Sequence, residues 1–502
     1  MKQGLPEAFV QAMEARLGAE MPAFLASYDE ERLYGLRVNT WKVPVQAFLA
    51  LSELELRPVP WAESGFYYKD GDRPGKHPHY HAGLYYIQEP SAMAPAELLD
   101  VRPGDRVLDL CAAPGGKTTQ LASRLQGEGL LVANDVHPDR VKALVKNIEL
   151  SGIRNAVVLN EDPEKLEGPF EGFFDKILVD TPCSGEGMFR KEVEMAKAWR
   201  PDWPERYAAM QRVLLRQAAR MLKPGGTLAY STCTFSQEEN EAMIAEFLDA
   251  NPWFEVVPVG GSAVHQEFAP GRPDWLPAGY ARGAETAGTA RLWPHRLQGE
   301  GHYAAVLRHR GSVGGGTPAA AEPERGLRVE PLRPREARPA RKGAGRAGAA
   351  APAADPLEAL GRFAAEQLAA GPYSGAAVVW RGEHAYAAPK ALPELDGIRV
   401  IRPGWYLGSV AKQRFVPSHA LAMGLRASDA LRSVSFAAAN PRTVKYLKGE
   451  TLELAADELH IAQEGIQPKG FVLVCVDGFP VGWGRWQDGL LKNDYPPGWR
   501  WT

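Results

Sequence analysis

The sequence contains little cysteine, no long apolar run and no excess of charge of either sign. Only four of its 502 residues are cysteine, which excludes a disulfide-stabilised scaffold and is typical of a reducing compartment. No stretch approaches the ~18 consecutive apolar residues that a membrane span needs. The net charge of −3 neither favours nor excludes a nucleic-acid partner, because an average can hide a basic face. Since residues 1–7 also lack the apolar run of a signal peptide, we expect a cytoplasmic protein that is not embedded in a membrane.

Composition changes sharply at one place in the chain. Residues 311–355 contain Gly, Ala, Pro and Arg, no aromatic residue, and eight basic against five acidic side chains. Such a segment cannot bury enough apolar surface to offset its ordering entropy, so we expect a disordered basic linker, either a plain tether or one that also contacts phosphates. The chain therefore divides into an N-terminal domain (1–75), a central domain (76–310), the linker (311–355) and a C-terminal domain (356–502).

The central domain alternates strand and helix patterns. Apolar runs predict strands over residues 106–109, 130–133, 156–159, 176–179, 227–230 and 303–307. Helical patterns over residues 139–150 and 205–222 fall between them. This alternation is typical of an α/β fold with a parallel sheet. The N-terminal domain starts with helical spacing at Phe9, Met13 and Leu17 and continues into a short strand over residues 36–39, whereas the C-terminal domain is β-rich, with a strand over 471–476 and a turn at Asp477-Gly478.

A glycine-rich turn follows the first strand of the central domain. It reads Cys111-Ala112-Ala113-Pro114-Gly115-Gly116-Lys117. The turn lacks the first glycine of a phosphate-binding loop and the G-x-G-x-x-G of the dinucleotide fold. Acidic residues close three successive strands, at Asp109, Asp135 and Asp162. Asp135 is placed to accept hydrogen bonds from ribose hydroxyls and Asp162 to meet an adenine amine, which favours S-adenosylmethionine as the ligand; the alternative is that these residues are ordinary helix caps.

Two cysteines follow the next two strands. Cys183 lies in the segment Asp180-Thr181-Pro182-Cys183, and Cys233 lies in Ser231-Thr232-Cys233-Thr234. Ligands of doubly wound sheets bind beyond the carboxyl ends of the strands, so both thiols should face one pocket. Either thiol alone would more often be a small buried hydrophobe.

A pair of thiols suits methyl transfer to carbon 5 of a pyrimidine. A thiolate that adds to carbon 6 makes carbon 5 nucleophilic, and a second group must then help the adduct to lose a proton and expel the sulfur. Asp180 could hydrogen-bond the N3 edge of the ring. Spacing alone leaves open which thiol attacks.

Residues 109–119, 180–187 and 231–240 together resemble the NOL1/NOP2/Sun family of RNA (cytosine-5) methyltransferases. Residues 85–95 are similar to the lead-in of that family, and the resemblance extends to residues 37–40, 404–408 and 481–484. It implies a class I S-adenosylmethionine-dependent methyltransferase (Rossmann-like) core, a small N-terminal α+β RNA-binding domain and a C-terminal β-rich PUA-like domain. The linker matches no part of the family.

The resemblance also implies roles for the site residues. Cys233 matches the nucleophile of the family, and Cys183 matches the cysteine that assists product release. The turn from Cys111 to Lys117, together with Asp135, Asp162 and Asp180, would line the cofactor pocket, and Lys117 also reaches the catalytic centre. Cys475 lies in an apolar run and is expected in the core.

RNA contacts are expected at two places. Arg190 and Lys191, just after the Cys183 loop, are placed to meet substrate phosphates. Aromatic and basic residues of the C-terminal domain suit unstacked bases and backbone, although many of the tryptophans could equally be core. This second set consists of Trp405, Tyr406, Trp483, Trp486, Trp499, Trp501, Lys412, Arg414, Lys492 and Arg500.

The residues predict an S-adenosylmethionine-dependent enzyme that methylates carbon 5 of a pyrimidine through a cysteine–carbon 6 adduct, and the resemblance implies that the product is 5-methylcytosine in small-subunit (16S) ribosomal RNA. The expected partner is this RNA or the 30S subunit, and we expect a monomer. The histidines of residues 77–81 have no further ligand at metal-binding spacing, so no metal is expected. Two alternatives stay open: the same chemistry on transfer RNA, and a non-catalytic protein of RNA binding or ribosome assembly.

Overall fold

The computed structural model describes residues 4–260, 265–311, 355–369 and 376–501, which form two compact units. The first contains the described residues up to 311 together with Leu395–Ile401, and the second contains the other described residues from 355 onward. The predicted linker lies outside the described residues except at its two ends. Within the described ranges, no helix is both long enough and apolar enough to cross a membrane.

Helices and strands are numbered in chain order. The helices are α1 (Glu7–Leu17), α2 (Met21–Ala26), α3 (Val45–Leu51), α4 (Pro78–His81), α5 (Ala94–Leu98), α6 (Gly116–Leu125), α7 (Pro138–Leu150), α8 (Pro163–Leu166), α9 (Val193–Ala198), α10 (Trp203–Met221), α11 (Glu241–Ala250), α12 (Pro356–Gln367), α13 (His419–Gly424) and α14 (Pro441–Leu447). The strands are β1 (Tyr34–Val38), β2 (Arg57–Val59), β3 (Ala62–Tyr68), β4 (Tyr85–Ile87), β5 (Arg106–Asp109), β6 (Leu130–Asn134), β7 (Ala156–Leu159), β8 (Phe174–Asp180), β9 (Leu222–Thr232), β10 (Phe254–Val256), β11 (Ala269–Pro270), β12 (Ala290–Leu292), β13 (His302–His309), β14 (Ala377–Arg381), β15 (His384–Ala388), β16 (Val400–Arg402), β17 (Trp405–Ala411), β18 (Arg414–Pro417), β19 (Arg432–Phe436), β20 (Leu452–Glu453), β21 (His460–Ile461), β22 (Gly470–Val476), β23 (Phe479–Gln487) and β24 (Leu490–Asn493).

A large mixed sheet forms the centre of the first unit. Its strand order is β11-β12-β13-β9-β8-β5-β6-β7-β16, and β10 pairs with β13. The strands from β5 to β9 are parallel, whereas β13 runs antiparallel to β9. The predicted α/β fold is confirmed, and each of the six strands predicted for the central domain is present. From β5 the chain continues to β6 and β7 on one side, whereas β8 and β9 lie on the other side of β5. The loops on the two sides therefore diverge and leave a crevice at the carboxyl end of β5.

Helices cover both faces of this sheet, which explains why its strands are apolar without alternation. Every residue of β6 and β7 is buried, as is typical of parallel strands. Val107, Leu131 and Val158 on three adjacent strands share one core cluster with Leu144 and Ile148 of α7. The sheet is thereby held rigid beneath the loops at its carboxyl edge.

The N-terminal segment contributes a small sheet and the three helices α1, α2 and α3 to the same unit. The small sheet has the order β2-β3-β1-β4. Because β4 lies beyond residue 75 and pairs with β1, this sheet crosses the predicted domain boundary. Phe9 of α1 and Phe24 of α2 pack against Phe235, with ring centroids 6.5 and 5.3 Å away. The two helices therefore support the loop that follows β9.

The second unit contains two sheets, where the sequence predicted a single β-rich domain. One has the order β14-β15-β17-β18 and the other the order β20-β24-β23-β22-β19-β21. The predicted strand over residues 471–476 and its hairpin to β23 are present. The hairpin turns at Asp477 and Gly478, whose φ angles of 48° and 86° suit this Asp-Gly pair.

Three of the tryptophans considered for RNA contacts are part of the core of the second unit. Trp405, Trp483 and Trp486 are 4%, 3% and 8% exposed. Each indole N–H donates to a backbone carbonyl at 2.8–3.0 Å. Their faces are covered by protein, so the alternative interpretation as core residues is correct for these three. The cations Lys412, Arg414, Lys492 and Arg500 are exposed.

A buried ion pair holds the loop after β9 in place. Arg291 on β12 donates to both carboxylate oxygens of Glu241 at 2.7 and 2.5 Å, and the two side chains are 2% and 0% exposed. Arg291 also donates to the carbonyl of Phe235 at 3.0 Å. Charges this deeply buried are tolerated only while both partners are present.

Replacing one partner should therefore destabilise the first unit strongly. We expect Glu241→Gln to lower the free energy of unfolding by about 3–5 kcal/mol, because the Arg291 charge stays buried without its counter-ion. Chemical denaturation followed by tryptophan fluorescence measures the change. Glu194→Gln is the matched control, since the Glu194–Lys197 pair is on the surface, with Glu194 86% exposed, and should change stability by less than about 1 kcal/mol. Equal unfolding midpoints for the two variants would show that the Arg291–Glu241 pair does not stabilise the fold.

Candidate active site

The loops that follow β5, β8 and β9 meet at the carboxyl edge of the large sheet. These three strands are neighbours in the order β9-β8-β5. The loops carry the glycine-rich turn, Cys183 and Cys233. The structure thus brings together the three sequence motifs that lie far apart in the chain.

The glycine-rich turn leads into α6 through two glycines with little space around them. Gly115 has a φ of 112°, a left-handed conformation that side chains other than glycine rarely adopt. A Cβ at Gly116 would lie 3.2 Å from the Tyr86 ring. The turn is held by bonds from the N–H groups of Ala112 and Ala113 to Asn134 and Asp135. The first N–H groups of α6 follow directly and are available to a polar ligand.

Asp109, at the end of β5, is a buried carboxylate with an unused acceptor. It is 1% exposed, and its Oδ2 accepts from Thr118 Oγ1 at 2.7 Å. Its Oδ1 is buried without a hydrogen-bond partner among the described residues. Burial raises the pKa of Asp109 to about 7. A cationic ligand group beside Oδ1 would satisfy this oxygen and stabilise its charge.

The other two acidic strand ends have different surroundings. Asp135 is 3% exposed and accepts from the N–H groups of Ala113 and His137 at 3.2 and 2.9 Å. Asp162 is exposed and caps α8 through a bond from Glu164 N at 2.9 Å. One carboxylate oxygen of Asp162 therefore caps a helix, as in the helix-cap alternative. Because Asp162 is exposed, its other oxygen is accessible to a ligand.

Lys117 and Asp180 form an ion pair between the turn and the end of β8. Lys117 Nζ donates to Asp180 Oδ2 at 2.7 Å, and Ser231 Oγ donates to Oδ1 at 2.6 Å. Burial by itself would raise the pKa of Asp180, but the Lys117 ammonium outweighs it and lowers the pKa. Asp180 is therefore an anion at neutral pH, and Lys117 is held as a cation beside it.

The two predicted thiols are in contact. The sulfur atoms of Cys183 and Cys233 lie 3.3 Å apart, and Cys233 N also points at Cys183 Sγ, 3.3 Å away. The bond to Cys233 and burial both raise the pKa of Cys183 well above its usual value. Cys183 therefore keeps its proton at neutral pH and can donate its S–H toward the sulfur of Cys233.

Sequence reasoning missed two buried glutamates that brace the thiol loops. Glu239 accepts from Ser184 N at 3.0 Å and from Gln211 Nε2 at 2.8 Å. Glu186 accepts from Phe235 N at 3.2 Å. Burial raises the pKa of Glu239 to about 8 and of Glu186 to about 7. Both residues lie within or beside the cysteine motifs, but a sequence does not show that an acidic side chain will turn inward. His302, on β13, was also missed, because the sequence does not show that its side chain turns inward.

The structure corrects the expectation for Arg190. Its side chain is only 7% exposed and is paired with Glu300, 5% exposed, at 3.0 Å. It also donates to the carbonyls of Ser27 and Gly299. Arg190 thus ties the N-terminal segment to the loop before β13 and does not face a phosphate. Lys191 is exposed, as a residue that contacts RNA would have to be.

The remaining cysteines and histidines have structural surroundings. Cys111 is half-buried in the turn, and Cys475 is buried in the core of the second unit. His77 caps α4 by accepting from His79 N. In the part of the chain that the structure describes, no group of three or more potential metal ligands is found.

The strand order and the three loops define a class I S-adenosylmethionine-dependent methyltransferase fold. Four family models match consecutive parts of the chain. They are the N-terminal domain of 16S rRNA methyltransferase RsmF (residues 5–90), 16S rRNA methyltransferase RsmB/F (96–308), the first C-terminal domain of RsmF rRNA methyltransferase (362–425) and the methyltransferase RsmF PUA domain (433–501). The central part of the chain thus matches the model of the RsmB/F 16S rRNA methyltransferases, the parts before and after it match models of RsmF domains, and the resemblance seen in the sequence is confirmed.

Individual relatives agree with this family. Ribosomal RNA small subunit methyltransferase F of Klebsiella pneumoniae is 37% identical over 320 residues, which is 61% of this chain and 64% of that protein, so less than two thirds of the relative is matched. A methyltransferase homologue from Pyrococcus horikoshii is 29% identical with a TM-score of 0.50, covering 61% of this chain and 99% of that one. NSun6 from Pyrococcus horikoshii, solved with SFG, shares the fold at 20% identity and a TM-score of 0.50, covering 62% and 100%.

The contact between the thiols predicts a disulfide on oxidation. A disulfide needs sulfur atoms about 2.05 Å apart, so a small movement from 3.3 Å suffices. Treatment with diamide, which takes two hydrogens from a thiol pair, should link Cys183 to Cys233, and peptide mapping after proteolysis should recover the two loops joined.

Cys183→Ser should abolish this cross-link, whereas Cys475→Ala should leave it unchanged. If both thiols of the oxidised wild-type protein still react with iodoacetamide, the two sulfurs are not in contact in solution.

Proposed function

We propose that this protein transfers a methyl group from S-adenosylmethionine to carbon 5 of a cytosine in small-subunit ribosomal RNA. The observation that carries the proposal is the pair of thiols 3.3 Å apart beside the Lys117–Asp180 ion pair. Methyl transfer to an exocyclic amine or a ribose hydroxyl would use neither thiol. The matching family models support ribosomal RNA as the substrate, and such a substrate would place the reaction in the cytoplasm.

The residues at the carboxyl edge of the sheet fit S-adenosylmethionine. The α-ammonium group would lie at Asp109 Oδ1, the buried acceptor without a partner among the described residues. The turn from Cys111 to Lys117 would approach the ligand with its backbone, Asp135 would face the ribose, and Asp162 the adenine. When bound, the cofactor supplies an electrophilic methyl group on its sulfonium.

Cys233 would act as the nucleophile. Its thiolate forms a bond to carbon 6 of the cytosine, and the electron pair of the carbon 5–carbon 6 double bond moves so that carbon 5 becomes nucleophilic. Asp180 would accept a hydrogen bond from the 4-amino group at the N3 edge of the ring and so steady the ring while the adduct forms. Lys117 holds Asp180 in place and compensates its charge.

Cys183 would assist product release. After methyl transfer, the carbon 5 proton leaves, the carbon 5–carbon 6 double bond forms again, and the sulfur of Cys233 departs with its electron pair. Cys183 keeps its proton because its pKa is raised by the contact with Cys233 and by burial. Its S–H can therefore stabilise the departing thiolate by a hydrogen bond.

RNA would be recruited by surfaces outside the pocket. Lys191 is exposed beside the Cys183 loop. In the second unit, a groove of about 1040 Å³ has Arg362, Arg414, Lys469 and Lys492 in its lining. We infer an RNA-binding N-terminal domain (1–75, with its sheet completed by β4), a catalytic domain (76–310), a basic linker (311–355) and an RNA-binding C-terminal part (356–502). The partner would be small-subunit RNA or the 30S subunit, bound by a monomer.

Substitution of the two thiols should separate their roles. Cys233→Ala should abolish transfer of labelled methyl groups to small-subunit RNA, because no adduct forms. Cys183→Ala should slow release and leave a covalent protein–RNA complex that survives denaturing electrophoresis. Cys475→Ala is the control for loss of a thiol outside the site.

The same assay tests the substrate. Small-subunit RNA, assembled subunits and transfer RNA are offered in parallel, and label should enter the first or second. If label enters transfer RNA alone, the proposed substrate is wrong. If Cys233→Ala rather than Cys183→Ala traps the adduct, the roles of the two cysteines are reversed. Normal RNA binding with no transfer to any RNA would leave a non-catalytic binding protein.

Binding of the cofactor should depend on pH through Asp109. Because its pKa is raised to about 7, the carboxyl becomes protonated as the pH falls through that value and loses its attraction for an ammonium group. We expect the affinity for S-adenosylmethionine to fall about fivefold to tenfold between pH 7.5 and pH 6, as measured by calorimetry.

Asp109→Asn should bind weakly at both pH values, with no such slope. Asp100→Asn, which removes an exposed carboxylate from the same unit, should behave like the wild type. A wild-type affinity that does not change with pH would show that Asp109 is not the ammonium ligand.

A further inference from the structure

His302 is a buried polar residue at the candidate site that the mechanism above does not use. It is the first residue of β13 and is 5% exposed. In the sheet, Ala304 lies opposite Ser231, and Ser231 lies opposite Asp180. Side chains two residues apart on a strand point to the same face. His302 is therefore on the face of the sheet that carries Ser231 and the Asp180 carboxylate, at the end of the strand that pairs with β9.

A short chain of hydrogen bonds connects His302 to Glu89. His302 Nδ1 lies 3.0 Å from Ser91 Oγ, and Ser91 Oγ donates to Glu89 Oε2 at 2.5 Å. The Glu89 carboxylate also accepts from the N–H groups of Ser91, Ala92 and Glu300 at 2.9–3.0 Å. Its two oxygens thus accept four hydrogen bonds, which is the full acceptor capacity of an ionised carboxylate.

These bonds determine which nitrogen of the ring carries the proton. The single hydroxyl proton of Ser91 is directed to Glu89, so Ser91 Oγ can only accept from His302. The His302 Nδ1 must then be the N–H donor, and Nε2 of the neutral ring holds a lone pair. Ser91 is 0% exposed, so water does not compete for this arrangement.

The charged groups around the ring keep it neutral. Burial and the Lys117 ammonium lower the pKa of His302 to about 4, against the opposing effects of Glu89 and Asp180. The other groups nearby are poorer proton acceptors. Cys183 keeps its proton, and the Lys117 ammonium lowers the pKa of Asp180. At neutral pH, His302 is therefore an uncharged base on the face of the sheet that carries Ser231 and Asp180.

We propose that His302 Nε2 is the base that removes the carbon 5 proton from the methylated adduct. This inference rests on the proposed function. In the step, the carbon 5–hydrogen bond breaks and its proton moves to Nε2. The electron pair forms the carbon 5–carbon 6 double bond again, and the carbon 6–sulfur bond breaks, so that Cys233 leaves as a thiolate. The imidazolium that forms is stabilised by Asp180 and, through Ser91, by Glu89.

Two labels can separate this step from methyl transfer. RNA carrying tritium on carbon 5 of its cytosines reports proton removal as tritium released to water, and S-adenosylmethionine with a ¹⁴C-methyl group reports transfer. For His302→Gln in a single turnover, we expect methyl transfer near the wild-type rate. Tritium release should be slower by about 100-fold or more, the usual contribution of a general base. The covalent complex should accumulate and contain the ¹⁴C-methyl group.

Further variants keep the inference open to refutation if His302→Gln does not fold. Ser91→Ala leaves the imidazole but removes the partner that fixes its tautomer, and tritium release should slow by about tenfold. His309→Gln, at the other end of the same strand, is the matched control and should behave like the wild type.

Three results would overturn the role of His302. In the first, tritium release in His302→Gln keeps pace with methyl transfer. In the second, adduct formation and release fall by the same factor, which indicates a structural role. In the third, Ser91→Ala releases tritium at the wild-type rate. If the wild-type protein itself forms no adduct and releases no tritium, the proposed function fails, and the wild-type reaction is therefore measured first.

Discussion

The lateral pairing of β8 with β9, and of β9 with β13, determines the geometry of the whole site. Neighbouring strands are held about 4.8 Å apart by their backbone hydrogen bonds. Asp180 is fixed opposite Ser231 by this pairing, and the loops that begin one to three residues later bring the two thiols into contact. A shift of one residue in either register would turn Asp180 or His302 to the opposite face of the sheet.

The buried carboxyl groups near these strands differ in whether a cation compensates their charge. Asp180 is an anion because Lys117 lies 2.7 Å away. Among the described residues, no cation lies as close to Asp109, Glu186 or Glu239, and burial raises the pKa of each to between about 7 and about 8. The site can therefore hold one firm ion pair, two thiols and several carboxyls close to their titration points. Protons can therefore move within the site without leaving many buried charges uncompensated.

The elements that could be predicted are those whose pattern is local. The apolar runs of β5 to β9 are continuous because both faces of the sheet are covered, so they are visible in the sequence. Cys183 and Cys233 were identified because each follows such a run. The prediction for Arg190 was wrong, and the sequence left both interpretations of Trp405 open, because a cation or an indole in a sequence gives no sign of which way it points. Arg190 is neutralised by Glu300, which lies 110 positions further along the chain.

The α/β order, the glycine-rich turn and the polar loop ends that carry the thiols could all be predicted from the amino-acid sequence. These features depend on side-chain periodicity and on residues adjacent in the chain. By contrast, the folded protein is needed to see which of the many acidic and basic side chains are buried and which of them are in contact. The Lys117–Asp180 pair and the chain from Glu89 through Ser91 to His302 each join residues from distant segments. The physical reason is that a hydrogen bond or an ion pair depends on distance in space and on the removal of water, and neither is encoded by spacing along a sequence.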